Sequence, residues 1–400
     1  MGKAKFILAT PLKKTVNLTV AQMINCFATV ARGLEELAAQ ELEELGADGV
    51  EPGFCGVGFR CDRTRLYTIN LWARLPFRIL VTAARVSCHD SDALYRGIQS
   101  IDWDVHISPG HTLAVKATGK NTRLNHSHFT ALQVKNAIVD QQQDRHGERS
   151  DVDTEKPDVQ VNVHINDNKA TVSLDSSGSS LHRRGYRPAM GTAPLKESLA
   201  AALVRLTEWS GHGAFLDPMC GSGTLPIEAT LQALNIAPGL FRDETSQGFG
   251  FQTWPDYDEH LWHKLVQEAK NRQRAELTVP VVGCDRDLDI LDDARTNADY
   301  SGVANHIDFN YIDFADIEAP ADSGILICNP PYGERLGHTE NLAPFYKLMG
   351  DILKQRFKGW TAYILSGNKA LTKCIGLRTA RKIPIYNGSI PCQFLKYEMY

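Results

Sequence analysis

From Asn25 onward the chain alternates short apolar runs with stretches in which apolar residues recur every three or four positions, the signature of mixed strands and helices. Cys26–Val30 reads as a strand, Arg32-Gly33 as a turn, and Leu34–Leu45 as a helix with Leu34, Leu37, Ala38, Leu42 and Leu45 on one face, closed by Gly46. Val57–Arg60 and Arg78–Thr82 are further strands around a helix at Thr64–Leu71, an order that suggests a small ferredoxin-like unit. The acids Glu35, Glu36, Glu41, Glu43 and Glu44 read as a solvated face. A second unit follows: a helical Leu94–Ile98, a strand at Leu113–Ala117, a helix over Ser127–Asp140, then strands Val159–Ile165 and Ala170–Leu174 joined at Asp167-Asn168. Residues 1–24 are less informative, with short strands possible at Phe6–Ala9 and Val16–Val20.

A different pattern begins near Leu195, where a helix with an amphipathic reading precedes the apolar run Phe215-Leu216. That run breaks into Asp217-Pro218-Met219-Cys220-Gly221-Ser222-Gly223-Thr224, and a buried helix is predicted from Thr224 to Leu234. Strand, glycine turn and helix in this order place a ligand at the carboxyl end of a parallel sheet. No Lys-Ser/Thr pair follows the second glycine and the dinucleotide spacing is unmatched, so phosphate is not the expected ligand. Asp217 would repel phosphate but suits a ligand carrying an ammonium and a sulfonium. The motif resembles the first motif of class I S-adenosylmethionine (AdoMet) methyltransferases.

Later strands add chemistry at their carboxyl ends. Val279–Cys284 leads into Asp285, with Arg286 beside it, and a carboxylate there can accept both ribose hydroxyls of a nucleoside. Ile307–Ile312 leads into Asp313 and Phe314, and Gly324–Cys328 leads into Asn329-Pro330-Pro331-Tyr332. A purine's exocyclic amine is a poor nucleophile because its lone pair is delocalised into the ring. The Asn329 side-chain oxygen and the Pro330 carbonyl can accept its two hydrogens, and Pro330 and Pro331 stiffen the loop that holds those acceptors. Tyr332 offers a ring for a base taken out of its stack. This chemistry needs no metal. Trp360–Ser366 and a hairpin of Ala380–Tyr386 with Cys392–Tyr397, signalled by Asn387-Gly388, complete the sheet.

Charge and composition narrow the picture only slightly. A net charge of -4 over 400 residues gives no global basic field, so a polyanion must meet a local patch. One candidate gathers Lys116, Lys120, Arg123, His126, His128 and Lys135, another the Ser/Gly-rich run 176–187 with Arg183, Arg184 and Arg187. The first reads as a solvated surface or an RNA contact, the second as phosphate grips or as salt bridges fixing two domains. The aromatics Phe249, Phe251, Trp254, Tyr257 and Trp262 in the insertion 236–278 favour a satellite core over base stacking. Nine scattered cysteines without a CxxC pair imply free thiols and a reducing cytoplasm, and no apolar stretch of membrane length is present.

Val172–Gly178, Leu181-His-Arg-Arg-Gly-Tyr-Arg187 and Ala193-Pro-Leu-Lys-Glu197, taken with the ferredoxin-like start, are similar to THUMP-domain RNA methyltransferases. The likeness is to the THUMP-bearing half of the bacterial large-subunit ribosomal RNA guanine-N2 methyltransferase. It implies an N-terminal extension (1–24), a ferredoxin-like domain (25–86), a THUMP domain (87–175), a linker (176–192) and a Rossmann-like class I methyltransferase domain (193–400) with a mostly parallel seven-stranded sheet. It further implies AdoMet as cofactor, Pro194 and Leu195 bordering it, and Asp313 facing the adenine amine with Phe314 beside the ring or in the core; Arg335, where the likeness continues, can reach substrate phosphate or hold the loop by pairing with Glu334. RNA, most simply 23S ribosomal RNA or a large-subunit precursor, is the implied partner. The resembling enzyme often carries a second methyltransferase domain that this chain lacks, so only one of two modifications is expected. Adenine N6 or transfer RNA as target, and a non-catalytic assembly factor, stay open as alternatives.

Overall fold

The computed structural model describes residues 22–188, 195–244, 248–333 and 342–400. The expected strands at Phe6–Ala9 and Val16–Val20, and the site candidates Pro194 and Arg335, lie outside the described residues.

The amino-terminal strands are β1 (Ile24–Thr29), β2 (Asp48–Gly53), β3 (Gly56–Cys61), β4 (Arg78–Ser87), β5 (Leu113–Lys120), β6 (Val159–Asn166) and β7 (Lys169–Asp175). Helices α1 (Glu35–Glu44), α2 (Arg63–Trp72), α3 (Ser91–Gln99) and α4 (Ser127–His146) lie between them. All seven strands join one sheet, ordered β2-β3-β1-β4-β7-β6-β5. The ten-residue β4 makes this possible: Arg78–Val81 pair with β1 on one side, and Leu80–Ser87 pair with β7 on the other, across an irregularity at Thr82/Ala84. The order β4-β1-β3-β2 is the ferredoxin-like one, and the short β2, which apolar periodicity misses, is almost wholly exposed.

The second sheet contains β8 (Ala214–Asp217), β9 (Val281–Asp285), β10 (Asp308–Tyr311), β11 (Gly324–Cys328), β12 (Thr361–Ser366), β13 (Arg381–Asn387) and β14 (Ile390–Glu398). Its order is β10-β9-β8-β11-β12-β14-β13, parallel except for the terminal hairpin. This is the class I methyltransferase arrangement expected from the sequence. The helices around it are α5 (Glu197–Leu206), α6 (Thr224–Ala233), α7 (Leu240–Glu244), α8 (Glu259–Asn271), α9 (Leu288–Tyr300), α10 (Ala343–Arg356) and α11 (Lys369–Cys374). The helix read as amphipathic, α5, is buried at every residue from Glu197 to Val204, because it packs between the sheet and the amino-terminal unit.

Two further expectations change. Glu41 does not belong to a solvated face: it is buried, and its carboxylate accepts from the backbone N–H groups of Arg74 and Leu75, each at 3.0 Å. The run 176–188, linker-like in composition, is a packed strap in which Ser176, Ser177, Leu181, Arg184 and Tyr186 are buried. Its Ser177 hydroxyl donates to the Asn70 side chain at 2.8 Å, and the Leu181 N–H donates to the Phe77 carbonyl at 2.8 Å.

Arg242 on α7 organises this strap. Its guanidinium is buried and donates to the carbonyls of Ser177, Ser179, Ser180, Arg183 and Gly248 at 2.7–3.3 Å, while resting on the Phe249 ring. Burial pushes its pKa down to about 10, still well above neutrality. Beside it the insertion's aromatics form the expected core. Phe251 stacks on Tyr67 of α2 with ring centroids 4.3 Å apart, and Trp262 meets both.

Replacing Arg242 by Leu leaves four strap carbonyls and that of Gly248 without a charged donor and is expected to destabilise the protein by about 3 kcal/mol or more. Lys, lacking the guanidinium fork, is expected to recover little of that. Urea unfolding of both variants tests this; a loss below about 0.5 kcal/mol would show that the strap holds without the guanidinium.

Candidate methyl-transfer site

The site forms where β8, β9, β10 and β11 end side by side. Leu216 of β8 lies opposite Val282 of β9 and Leu326 of β11, so the segments that continue each strand emerge at adjacent positions. Parallel strands lie about 4.8 Å apart, which fixes the spacing of the side chains that follow them.

The first loop is tied down by backbone. Gly221 and Gly223 adopt φ of +52° and +79°, a region that side-chain-bearing residues avoid. A Cβ at Gly223 would also come within 3.1 Å of Ala294 and Phe309. The Cys220 N–H donates to the Cys284 carbonyl at 2.8 Å, and the Gly221 N–H donates to the Asp285 carboxylate at 2.9 Å. Asp285 therefore fixes the loop as well as standing at the tip of β9. Ser222 is buried and its carbonyl accepts from Asn297 at 3.1 Å. Thr224 begins α6, whose cap, Gly223, leaves the first-turn N–H groups facing the loop. Pro218 and Cys220 are buried walls, and Leu195 is buried with its carbonyl taken by Arg187.

Asp217 is 1% exposed and accepts from the Met219 N–H at 3.1 Å. Burial, with a smaller contribution from the Asp285 charge, pushes its carboxyl well above the usual carboxylate range. An uncompensated buried carboxylate is costly, so the position favours a cationic partner. Beyond Asp285 lies a cavity of about 320 Å³ lined by Arg286, Asp287, Leu288, Asp289 and Tyr311, within the size range of small-ligand sites. Leu288 and Tyr311 are over half exposed there; periodicity marked neither, although Tyr311 is the last residue of β10. Asp313 is exposed and caps the turn 314–316 through the Ala315 N–H at 2.9 Å. Phe314 is 4% exposed and packs edge-on against Phe345, which places it in the core.

Across from the cradle, the Asn329–Tyr332 loop is clamped from both sides. Tyr346 donates from its hydroxyl to the Pro331 carbonyl at 3.2 Å, and Asn387 donates to the Tyr332 hydroxyl at 2.9 Å. The hairpin turn falls on Gly388-Ser389, one residue later than the Asn387-Gly388 signal, which leaves Asn387 buried on β13 to make this contact. Tyr332 is 7% exposed with its ring against Gly367, so it is mainly a wall of the site. The Asn329 side-chain oxygen is buried and has no hydrogen-bond partner among the described residues. A buried acceptor without a donor implies that something else supplies one. Positive-φ glycines, a buried acid and an orphaned acceptor together fit a cationic nucleoside beside an amine donor.

The basic candidates separate by burial. Arg184 is buried, pairs with Glu228 at 3.3 Å and donates to the carbonyls of Leu181 and Arg74, so no face is left for phosphate. Arg187 is held by Thr224, the Leu195 carbonyl and Glu197. Both are corrections: these two arginines join the strap to the catalytic domain. Arg183 is exposed, and burial, followed by the charges of Lys196, Arg184, Arg183 and Arg78, pushes His182 down to about 4; Lys116, also exposed, feels the charges of Arg78 and Arg183. Arg123 and His126 are exposed farther along the THUMP-like unit, where Arg123 lies 3.4 Å from Asp90 and His126 caps α4.

The family model described as the RMKL-like methyltransferase domain matches residues 184–396, more than half of the chain. The chain belongs to the RMKL-like methyltransferase family. Models of the THUMP domain and of the RlmL ferredoxin-like domain match residues 88–175 and 25–80. A candidate RNA methyltransferase of Synechocystis sp., slr0064, is 56% identical over 94% of this chain and 96% of its own. A ribosomal RNA large subunit methyltransferase K/L of Syntrophotalea carbinolica is 41% identical over 94% of this chain but 54% of its own, so this RMKL-like chain spans about half the length of such relatives. Among solved structures, SMU.472, a methyltransferase candidate crystallised with SAH, superposes with a TM-score of 0.85 at 29% identity over 94% of this chain and 98% of that one. A predicted N6-adenine-specific DNA methylase of Listeria monocytogenes gives 0.84 at 30%, covering 95% and 97%.

The raised Asp217 pKa has a sign that can be checked. Between the ordinary carboxylate range and the raised value the folded protein holds a proton that the unfolded chain has released, so Asp217 lowers the stability of the ligand-free protein as pH rises through that window. Asp217→Asn is expected to raise the melting temperature at about pH 8 and leave it unchanged near pH 4. Equal effects at both pH values would show that Asp217 titrates normally.

Proposed function

We propose that this chain is an AdoMet-dependent RNA methyltransferase that methylates the exocyclic N2 amine of a guanine, with 23S ribosomal RNA as its substrate. The observation that carries this reading is the buried Asn329 oxygen without a donor among the described residues at the end of β11, the strand next to β8, whose end carries the glycine-bearing turn and buried Asp217.

In this reading Asp217 meets the positive end of the cofactor, Asp285 accepts the ribose hydroxyls, and the cavity past Arg286 takes the base. Bound AdoMet supplies an electrophilic methyl group on a sulfonium, which needs no further activation. Asn329 and the Pro330 carbonyl accept the two amine hydrogens, turning the nitrogen toward a tetrahedral shape with its lone pair outward. Tyr346 and Asn387 hold that loop before substrate arrives, so little reorganisation is needed at reaction. After transfer the extra proton leaves to water. The exposed cations Lys116, Arg183 and Lys196, beside an Arg78 that is itself paired with buried Asp175, support an RNA path across the junction toward this mouth.

Incubating 23S transcript with labelled AdoMet and analysing nucleosides is expected to yield N2-methylguanosine. N6-methyladenosine would overturn the base assignment, and absence of both transfer and AdoMet binding would favour an assembly factor. Asn329→Ala is expected to lower transfer about 10²- to 10³-fold with AdoMet affinity near wild type; lost AdoMet binding would show that Asn329 holds the cofactor rather than the amine.

A double change of Lys116 and Arg183 to Glu is expected to weaken RNA binding and flatten its salt dependence at unchanged stability. Arg184→Gln is expected to do the reverse, lowering stability through an unpaired Glu228. Filter binding across a salt series, beside thermal melts, separates these; an unaltered salt slope in the double variant would move the RNA path elsewhere.

A further inference from the structure

The β2–β3 hairpin ends on Phe54, which is 82% exposed, more than any other large apolar side chain among the described residues except Tyr400. The turn that carries it is firmly built. The Glu35 carboxylate accepts from the Gly33 N–H at 2.7 Å and from the Cys55 N–H at 3.1 Å, joining the β1–α1 turn to the hairpin tip. The Val30 N–H adds a bond to the Cys55 carbonyl at 3.1 Å. Gly33, at φ +86°, lies against β13 so closely that a Cβ would stand 3.3 Å from the Pro384 carbonyl. Arg32 therefore sits with its guanidinium 4.6 Å from the Tyr386 ring centre and 5.8 Å from that of Phe54. The next residue after Tyr386 is Asn387, which grips Tyr332 of the amine-binding loop.

We propose that Phe54 and Arg32, backed by Tyr386, form a stacking platform for an unpaired RNA base flanking the target nucleotide. The inference rests on the RNA methyltransferase reading above and adds a contact from the ferredoxin-like unit. Taking a base out of its stack leaves its neighbour with an uncovered face. A rigidly mounted, solvent-facing phenyl ring can cover that face whatever the base, because every base offers a π surface. Arg32 lies over Tyr386, and its guanidinium carries the N–H donors an adjoining phosphate requires. Glu35 holds both turns in advance, so little ordering is left to binding.

The test uses the full chain, unmodified 23S transcript and labelled AdoMet. Phe54→Ala, a change at an exposed side chain, is expected to lower kcat/KM for RNA about 5- to 100-fold with AdoMet affinity unchanged. Phe54→Trp is expected to recover activity to within about threefold, and Phe54→Leu, apolar but not planar, to stay low. Unchanged activity in Phe54→Ala, or full recovery with Leu, overturns the proposal. A variant normal on naked transcript but defective on large-subunit precursor particles also overturns it, in favour of a protein partner. If wild-type protein transfers no methyl group to RNA, the underlying functional reading fails and this inference with it; wild-type transfer with an unaffected Phe54→Ala defeats this inference alone.

Discussion

A single buried guanidinium sets the relation between the halves of this protein. Arg242 gathers five backbone carbonyls, four of them in the strap between the THUMP-like unit and the catalytic domain. The Ser177 bond is buried and the other four are partly so, which makes a charged protein donor the main partner these carbonyls have. The same strap is pinned from the other end by Arg184 and Arg187, whose partners lie on α5, on α6 and in the Arg74 loop. A composition rich in Ser and Gly thus serves close backbone packing here, not freedom of movement. The consequence is functional: the cations that remain exposed at the junction are held at a fixed place relative to the catalytic loops.

The catalytic end follows a complementary logic, in which groups are left unsatisfied inside a rigid frame. Gly221 and Asp285 fasten the cradle to β9, and Tyr346 and Asn387 fasten the opposing loop. Within that frame Asp217 has lost its solvation and Asn329 has an acceptor with no donor among the described residues. Both are costs to the free protein that a cation and an amine would relieve. Stability at this site is thereby traded for recognition, which is why the frame has to be held by bonds that do not involve the ligand.

The division between what was legible and what was not follows the range of the interactions. The amino-acid sequence by itself determined most strands of both sheets, though not β2 or helices α7, α8, α10 and α11, and with them the class I sheet and the positions of the glycine-bearing turn, Asp285 and Asn329–Tyr332 at strand ends. Each of these depends on periodicity, backbone conformation or a strand end, which are local properties. Tertiary structure alone decided which charged groups are structural. Glu41, Arg184, Arg187 and Arg242 look in sequence like Glu43 or Arg183, but burial turns them into hydrogen-bond centres, and burial depends on elements tens of residues away in the chain. The continuous sheet through β4, the full burial of α5, the role of Asn387 behind Tyr332 and the exposed Phe54 on its Glu35-braced turn arise in the same way. They are set by which surfaces meet, and no local pattern records that.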